Sequence, residues 1–461
     1  MSYNPRDLPT ERPSTLDKKG FRVYIHPAEV LGYFRTRRNL VYGFLVFIFL
    51  VLPWTQFQGK QTILLDLAQR EFTFFGSTFY AHDAPLFFFP VFIFAMLLVF
   101  ITSVFGRAWC GWACPQTVFI DFIYRKIEKW IEGNHVERKK LDEAPMSVSK
   151  VSKRALKWIL FFLVSAHIAH SFTAYFVGAK PLLLITLGNP LNNINLFIFV
   201  HSLTLLFLFD FGWFREQFCI IMCPYGRFQS VLMDKDSLTV AYNEKRGEPR
   251  GKKGPGDCVD CYKCVIVCPT GIDIRNGSQL ECIACTACID ACDDVMTRLK
   301  RPTGLIGYSS EAELEGKKRK LINWRSGSYL AIILGLSIAF SIILFFRQPV
   351  EFKVLRASKA PFSITEEQGQ RLVLNHFKLH LTNQTQTLIQ IDIVNQHQDS
   401  QLLSPEFPLS LSPSKDRWSH IFFKTPIDKF KNKDKIQTQI QLKYKDRTET
   451  LKINLLGPQQ H

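Results

Sequence analysis

The 461-residue chain combines 41 phenylalanines and 47% hydrophobic residues with 21% charged ones, so lipid-facing and aqueous parts are both expected, in about two to four domains. Its formal charge of +17 would suit nucleic acid, but no groove-reading motif occurs. Beside long apolar runs, a basic balance points to anionic headgroups and cytoplasmic loops, so membrane lipid is the expected partner and nucleic acid is excluded.

Residues 1–39 hold eight Lys or Arg, several prolines and no sustained apolar period. They predict a cytoplasmic tail and no cleavable signal peptide. Leu40 to Trp54 is the first predicted span, slightly short of the ~20 residues a crossing helix needs and ending in an interfacial Pro-Trp. Residues 55–84 read as a polar loop with two basic residues, Lys60 and Arg70. A second span covers Pro85 to Val104, and then comes Arg107-Ala-Trp-Cys110-Gly-Trp-Ala-Cys114-Pro115. The loop from Arg125 to Lys157 carries ten Lys or Arg, which places it in the cytoplasm and the 55–84 loop outside.

Spans three and four are expected at 158–177 and 191–213, joined by a segment whose one basic residue is Lys180. Arg215-Glu-Gln-Phe-Cys219-Ile-Ile-Met-Cys223-Pro224 follows. Helix, outer loop, helix and C-x3-C-P thus occur twice, Cys110 to Cys219 and Cys114 to Cys223 both being offset by 109 residues (219 − 110 and 223 − 114). The region 215–325 adds eighteen Lys or Arg, again a cytoplasmic signal.

Eight of the twelve cysteines stand in two runs within that region. The first is Cys258-x2-Cys261-x2-Cys264-x3-Cys268-Pro269 and the second Cys282-x2-Cys285-x2-Cys288-x3-Cys292. This is the bacterial ferredoxin spacing, in which three close thiolates face one [4Fe-4S] cube and the fourth ligand comes from the other run. Cys258, Cys261, Cys264 and Cys292 then hold one cluster, and Cys282, Cys285, Cys288 and Cys268 the other. Zinc knuckles pair C-x2-C corners or use histidine, and no histidine lies between Cys258 and Cys292. Pro269-Thr270-Gly271 supplies a turn after the first run, whereas the second ends in Asp293 instead of Pro. Oxygen-sensitive clusters agree with a reducing cytosol.

A fifth span, 328–346, leads to residues 350–461, where period-two stretches at Phe377–Leu381, Leu388–Val394, Ile436–Leu442 and Leu451–Leu455 predict a small antiparallel sandwich outside the membrane. The expected division is a tail at 1–39, a four-helix membrane region at 40–230, an aqueous ferredoxin and basic linker at 231–327, the fifth helix, and the sandwich. The fold class is a multidomain membrane protein with five transmembrane α-helices, a dicluster ferredoxin insert of α+β type and an all-β C-terminal domain.

Cys110, Cys114, Cys219 and Cys223 are the remaining thiols. On a continuous helix each i, i+4 pair shares a face, and the following proline stops the next turn, so four sulfurs are expected to converge on one ion. Thiolates favour Cu(I) over hard cations, and a thiol pair near a one-electron donor can also cycle through a disulfide. The bland reading makes them small apolar fillers. His167 and His170 in the third span and His201 in the fourth are candidate haem or copper ligands, against the bland reading of interhelical hydrogen bonding. His376, His380, His397 and His420 read as surface residues of the sandwich.

The two C-x3-C-P corners before a dicluster ferredoxin segment resemble the CcoG (FixG, RdxA) family of cbb(3)-type cytochrome oxidase accessory proteins. The likeness runs through Cys110-Gly-Trp-Ala-Cys114-Pro-Gln-Thr, Cys219-Ile-Ile-Met-Cys223-Pro-Tyr-Gly-Arg-Phe-Gln, Cys258 to Asp273 and Glu281 to Met296. It implies a bacterial inner-membrane polyferredoxin with an immunoglobulin-like outer domain and a role in oxidase assembly as a cupric reductase. It also implies cluster ligation by the eight ferredoxin cysteines and copper handling or redox chemistry at Cys110, Cys114, Cys219 and Cys223. The implied partners are a cytosolic electron donor and oxidase subunits or copper chaperones. An electron relay to a membrane or periplasmic reductase, or a non-enzymatic assembly scaffold, are the alternative readings.

Overall fold

The computed structural model describes residue 15 and residues 22–458, except 70, 81–83, 252–253, 347, 358–359, 368, 386, 396–399, 413–414, 432 and 446. The chain forms two compact units, 1–340 and 341–461. Five helices are long and apolar enough to cross a membrane: Tyr33–Trp54, Leu86–Phe105, Val148–Val177, Pro190–Phe214 and Trp324–Phe345.

Helix α1 (Tyr33–Val51) starts well before the predicted Leu40. Its free N–H groups find an acceptor far away in sequence: the Asp290 carboxylate takes hydrogen bonds from Phe34 N (3.1 Å) and Arg35 N (2.7 Å). A Cβ on Gly32 would collide with that same side chain. The expected polar loop after α1 is instead a hairpin, β1 (Gln56–Phe57) and β2 (Lys60–Gln61), and a meander of β3 (Ile63–Asp66), β4 (Glu71–Phe74) and β5 (Ser77–Tyr80). Gln61 bonds Ala174 O (3.0 Å) and Ala179 N (2.9 Å), fastening the hairpin to the junction of two later helices.

Helix α2 (Ala84–Phe105) ends at Gly106, whose φ of +55° and close approach to the Leu238 carbonyl leave no room for a side chain. After it come α3 (Ala108–Trp112), α4 (Pro115–Phe119), a π-helical turn Ile120–Tyr124, α5 (Arg125–Glu132) and α6 (His135–Glu143). Asn134 and Glu137 form a reciprocal capping box at the start of α6. The long α7 (Val148–Val177), α8 (Ala179–Leu187) and α9 (Ile194–Phe207) complete the second helix pair. Two π-helical stretches, Leu208–Phe214 and Phe218–Met222, then precede α10 (Pro224–Leu232).

The aqueous part of this unit is small. Strand β6 (Thr239–Tyr242) pairs antiparallel with β7 (Ile306–Ser309), from Thr239↔Ser309 to Tyr242↔Ile306. Between them lie α11 (Glu244–Gly247), α12 (Lys263–Ile266) and α13 (Ala287–Arg298), with α14 (Glu311–Leu314) after β7. Val265, Ile274, Ile289, Met296, Leu305 and Ile306 make its core. Helix α15 (Trp324–Phe345) leads out of this unit.

The second unit contains strands β8 (Val350–Arg356), β9 (Ser363–Glu367), β10 (Gln370–Asn383), β11 (Ile389–Asn395), β12 (Gln401–Leu403), β13 (Leu409–Leu411), β14 (Asp416–Pro426), β15 (Lys435–Tyr444) and β16 (Arg447–Leu456). One sheet runs β12-β14-β10-β8 with β9 beside β10, and the other β13-β11-β15-β16. Their alternating inward residues, among them Leu379, Leu381, Ile391, Phe423, Ile440 and Leu442, form one fully buried core. All four predicted period-two stretches lie on strands. His376 hydrogen-bonds His420 (2.8 Å), and His380 bonds Asp416 (2.8 Å), all partly or fully exposed on the sheet; His397 lies outside the described residues.

Candidate functional site

The two cysteine runs fold alike. In each, the residues on both sides of the second cysteine take left-handed backbone: Asp260 (φ 57°) and Tyr262 (φ 58°) around Cys261, Ala284 (φ 50°) and Thr286 (φ 62°) around Cys285. Such conformations cost roughly 1–3 kcal/mol each and persist only where the surroundings hold them. In each run the residue after the second cysteine then caps a helix, α12 or α13, and places the third cysteine in the first turn.

The loops line two small cavities of matched size, about 20 Å³ each. Cys258, Cys261, Cys264 and Cys292 line one, and Cys268, Cys282, Cys285 and Cys288 line the other, with Cys264 on the wall they share. The fourth cysteine of each set therefore comes from the other run. Its electrostatics agree: burial, then Asp293, then Cys261 and Cys258 push the Cys292 thiol up to about 12. Burial, then Cys285 and Cys282, likewise push Cys268 up to about 12. Thiols held so far above neutrality ionise only when a cation binds. Among the described residues no three His, Cys, Asp or Glu side chains stand close enough for a single metal ion. Sulfurs set around a void suit a cluster better than a tetrahedral zinc, so the residues fit the iron–sulfur group.

The C-x3-C-P corners differ from the expected continuous helix. The chain breaks at the second cysteine of each: Cys114 (φ −63°, ψ 126°) and Cys223 (φ −69°, ψ 110°) are extended, and Pro115 and Pro224 open new helices instead of closing old ones. The four sulfurs are gathered, since Cys114 and Cys223 both act on Cys110 and Cys219. They do not, however, meet at one point. Burial pushes Cys110 up to about 11 and Cys219 well above its ordinary value.

Corner one packs against the loop that lines the second cavity. A Cβ on Gly111 would meet the Ala284 carbonyl, so only glycine lets the two backbones lie together. Arg107 donates to Cys282 O (2.9 Å) and Leu280 O on the ferredoxin side and to Gly226 O (3.3 Å) in corner two. Arg38 donates to Gly111 O (3.1 Å) and to Cys285 O. The fully buried Gln229 of α10 donates to the Cys110 sulfur (3.2 Å), linking the corners directly.

Corner two rests on buried charge. Arg215, at φ 52°, donates to both oxygens of Glu128 (3.1 and 2.6 Å) and holds the turn before Cys219. Glu128 also bonds Arg138 (3.2 Å), and Lys157 bonds Glu132 (2.8 Å). Burial opposes ionisation of Glu128, but Arg215, Lys157 and Arg138 together outweigh it and hold the carboxyl well below the usual range. From its charge count this stretch reads only as a cytoplasmic loop; the i, i+4 carboxylates Glu128 and Glu132 are the signal for buried pairing. His170 and His201 bond carbonyls of their own helices, Ala166 O (2.8 Å) and Phe197 O (2.9 Å), and His167 is exposed.

A family model of the 4Fe-4S dicluster domain matches residues 214–253 and 248–311, one of a 4Fe-4S binding domain matches 87–134, and one of the Ig-like fold at the C-terminus of FixG matches 340–458. Protein RdxA of Cereibacter sphaeroides is 37% identical over 385 residues, covering 78% of this chain and 80% of RdxA. The chain belongs to the FixG/RdxA family. Protein RdxB of the same organism is also 37% identical, over 388 residues, with 78% of this chain and 80% of RdxB covered. Nitrogen fixation protein FixG of Rhizobium meliloti is 39% identical over 308 residues, 63% of this chain and 57% of FixG. This FixG/RdxA protein is a membrane protein with iron–sulfur electron-transfer modules and an Ig-like C-terminal domain.

Proposed function

We propose that the protein carries electrons from an aqueous donor to the C-x3-C-P corners, where Cu(II) is reduced to Cu(I) for assembly of a cbb(3)-type oxidase. One observation carries this reading: the Gly111–Ala284 contact sets the cysteine corner against the loop that lines the second four-cysteine cavity. Cys258, Cys261, Cys264 and Cys292 would hold one [4Fe-4S] cluster, and Cys282, Cys285, Cys288 and Cys268 the other. When bound, such clusters supply reversible one-electron transfer.

The chain's own residues give that chemistry a direction. Cys261 is exposed, so the first set faces water and a donor. Cys282 lies within electrostatic reach of Cys110, so the second set faces the corner. One electron per ion converts Cu(II) to Cu(I), which thiolates at Cys110, Cys114, Cys219 and Cys223 bind well. Binding releases the protons that burial keeps on Cys110, Cys114 and Cys219, so copper retention falls as pH drops. By the positive-inside rule, the basic segments 125–157 and 215–325 lie in the cytoplasm and the sandwich lies across the inner membrane. The sandwich would serve to dock oxidase subunits or copper chaperones.

Protein reduced anaerobically and mixed with Cu(II) should yield chelatable Cu(I) with loss of the reduced-cluster signal; no Cu(I) would count against the reading. A second reading is favoured by the corner sulfurs not meeting at one point: a relay to a membrane partner without copper. Replacing Cys110 and Cys219 by Ala abolishes Cu(I) formation on the first reading and leaves copper reduction unchanged on the second, with iron content as the control.

A further inference from the structure

At the start of α1 a cavity of about 220 Å³ opens where the 27–31 segment, α1, α4 to α6 and the loops bearing Cys268 and Cys285 come together. Six basic side chains line it, Arg35, Arg38, Arg125, Lys126, Lys129 and Arg138, against the three carboxylates Glu29, Asp121 and Glu216, while Arg138 is also paired behind the lining with Glu128 (3.2 Å). Asp121 pairs with Arg35 and Arg38, Glu216 with Arg125, and Glu29 with Lys129. Lys126 packs its ammonium on the Phe122 ring (3.6 Å) and makes no ion pair with a carboxylate among the described residues.

Two donors and an acceptor in this lining are unmet. The Nε atoms of Arg125 and Arg138 and the Oδ1 of Asn39 are buried with no hydrogen-bond partner among the described residues, and the Arg138 side chain is only 4% exposed. Buried guanidinium N–H groups left open are costly unless an acceptor arrives, and convergent arginines match the oxygens of a phosphate. The rim is built for a bilayer surface. Leu31 is 91% and Trp130 78% exposed beside the cavity, and Tyr33, also exposed, lies under the Arg37 guanidinium (4.6 Å) where α1 enters its apolar run.

We infer that this cavity binds the phosphate of an acidic glycerophospholipid headgroup from the adjoining leaflet. The phosphate oxygens meet the open arginine donors and Lys126, and a headgroup hydroxyl meets Asn39 Oδ1. Basic pockets at the ends of membrane helices take acidic lipid in this way. The bound headgroup bridges α1 and α5 to the loops that carry Cys268 and Cys285, so it stabilises the seating of the aqueous module on the helices. This inference does not depend on the copper reading.

The test uses the full-length protein in nanodiscs of phosphatidylcholine with or without phosphatidylglycerol, reading retained lipid by native mass spectrometry and melting temperature by scanning fluorimetry. Phosphatidylglycerol should be retained and raise the melting temperature, phosphatidylcholine should not, and millimolar inorganic phosphate should not substitute. The rim variant Lys126→Ala/Lys129→Ala should weaken phosphatidylglycerol retention by roughly thirtyfold and lose the rise in melting temperature that phosphatidylglycerol gives over phosphatidylcholine. Lys139→Ala/Lys140→Ala, which removes the same charge outside the cavity, should retain lipid like the parent. Equal retention of both lipids, equal losses in the two double variants, or full stabilisation by inorganic phosphate alone would each overturn the assignment.

Discussion

The two C-x3-C-P corners have one sequence skeleton and one local fold, yet their surroundings diverge. Corner one presses Gly111 against the Ala284 backbone and is laced to the ferredoxin loops by Arg107 and Arg38. The turn of corner two is set instead by Arg215 on the buried Glu128. The repeat thus supplies two cysteine turns that both break before a helix-opening proline, and packing makes one the contact to the cysteine-run loops and the other a charge-braced support. Gln229 on the Cys110 sulfur couples the halves.

That contrast can be broken from either side. Glu128→Gln leaves Arg215 charged and unpaired in the interior, and should destabilise the protein by about 3–5 kcal/mol, read as a fall in melting temperature. Gly111→Val forces the corner off the Ala284 loop and should cost about 3 kcal/mol, with iron lost from the second set before the first. Gly226→Ala in corner two, where a Cβ comes 3.0 Å from Cys219 O, should cost about 1 kcal/mol and leave iron content intact.

Acid offers a graded version of the first test. The folded Glu128 carboxyl is held below its unfolded value, so its stabilisation is complete above the ordinary carboxylate pKa of about 4.3 and drains away as pH falls beneath it. Melting temperature should drop below that pH in the parent and much less in Glu128→Gln. The smallest effect is expected from Gln229→Leu, about 1 kcal/mol for one amide–sulfur bond. Its signature is a changed rate of Cys110 alkylation with Cys219 unaffected.

Much of this was legible in the chain itself. The cysteine spacing is a ligand geometry written in intervals of three, and the cavities contain the sulfur sets it implies. Apolar runs and period-two stretches located the helices and the sandwich because each reports on one local environment. What stayed hidden depends on distant partners. Asp290 extends α1 back to Tyr33, and nothing near residue 33 announces it. The proline after each corner was read as a stop, although proline at a first helical position is a start. The basic 125–157 stretch reads from sequence as a cytoplasmic loop, because a charge count does not show which carboxylates are buried among it.

The most direct measurement is low-temperature electron paramagnetic resonance with iron quantification on anaerobically reduced protein, parent beside Cys268→Ser. Eight irons per chain as two interacting [4Fe-4S] centres are predicted for the parent, and in the variant the centre of the Cys282 run should be lost or altered while that of the Cys258 run persists. Zinc in place of iron, or loss of the Cys258-run centre alone, would contradict the account.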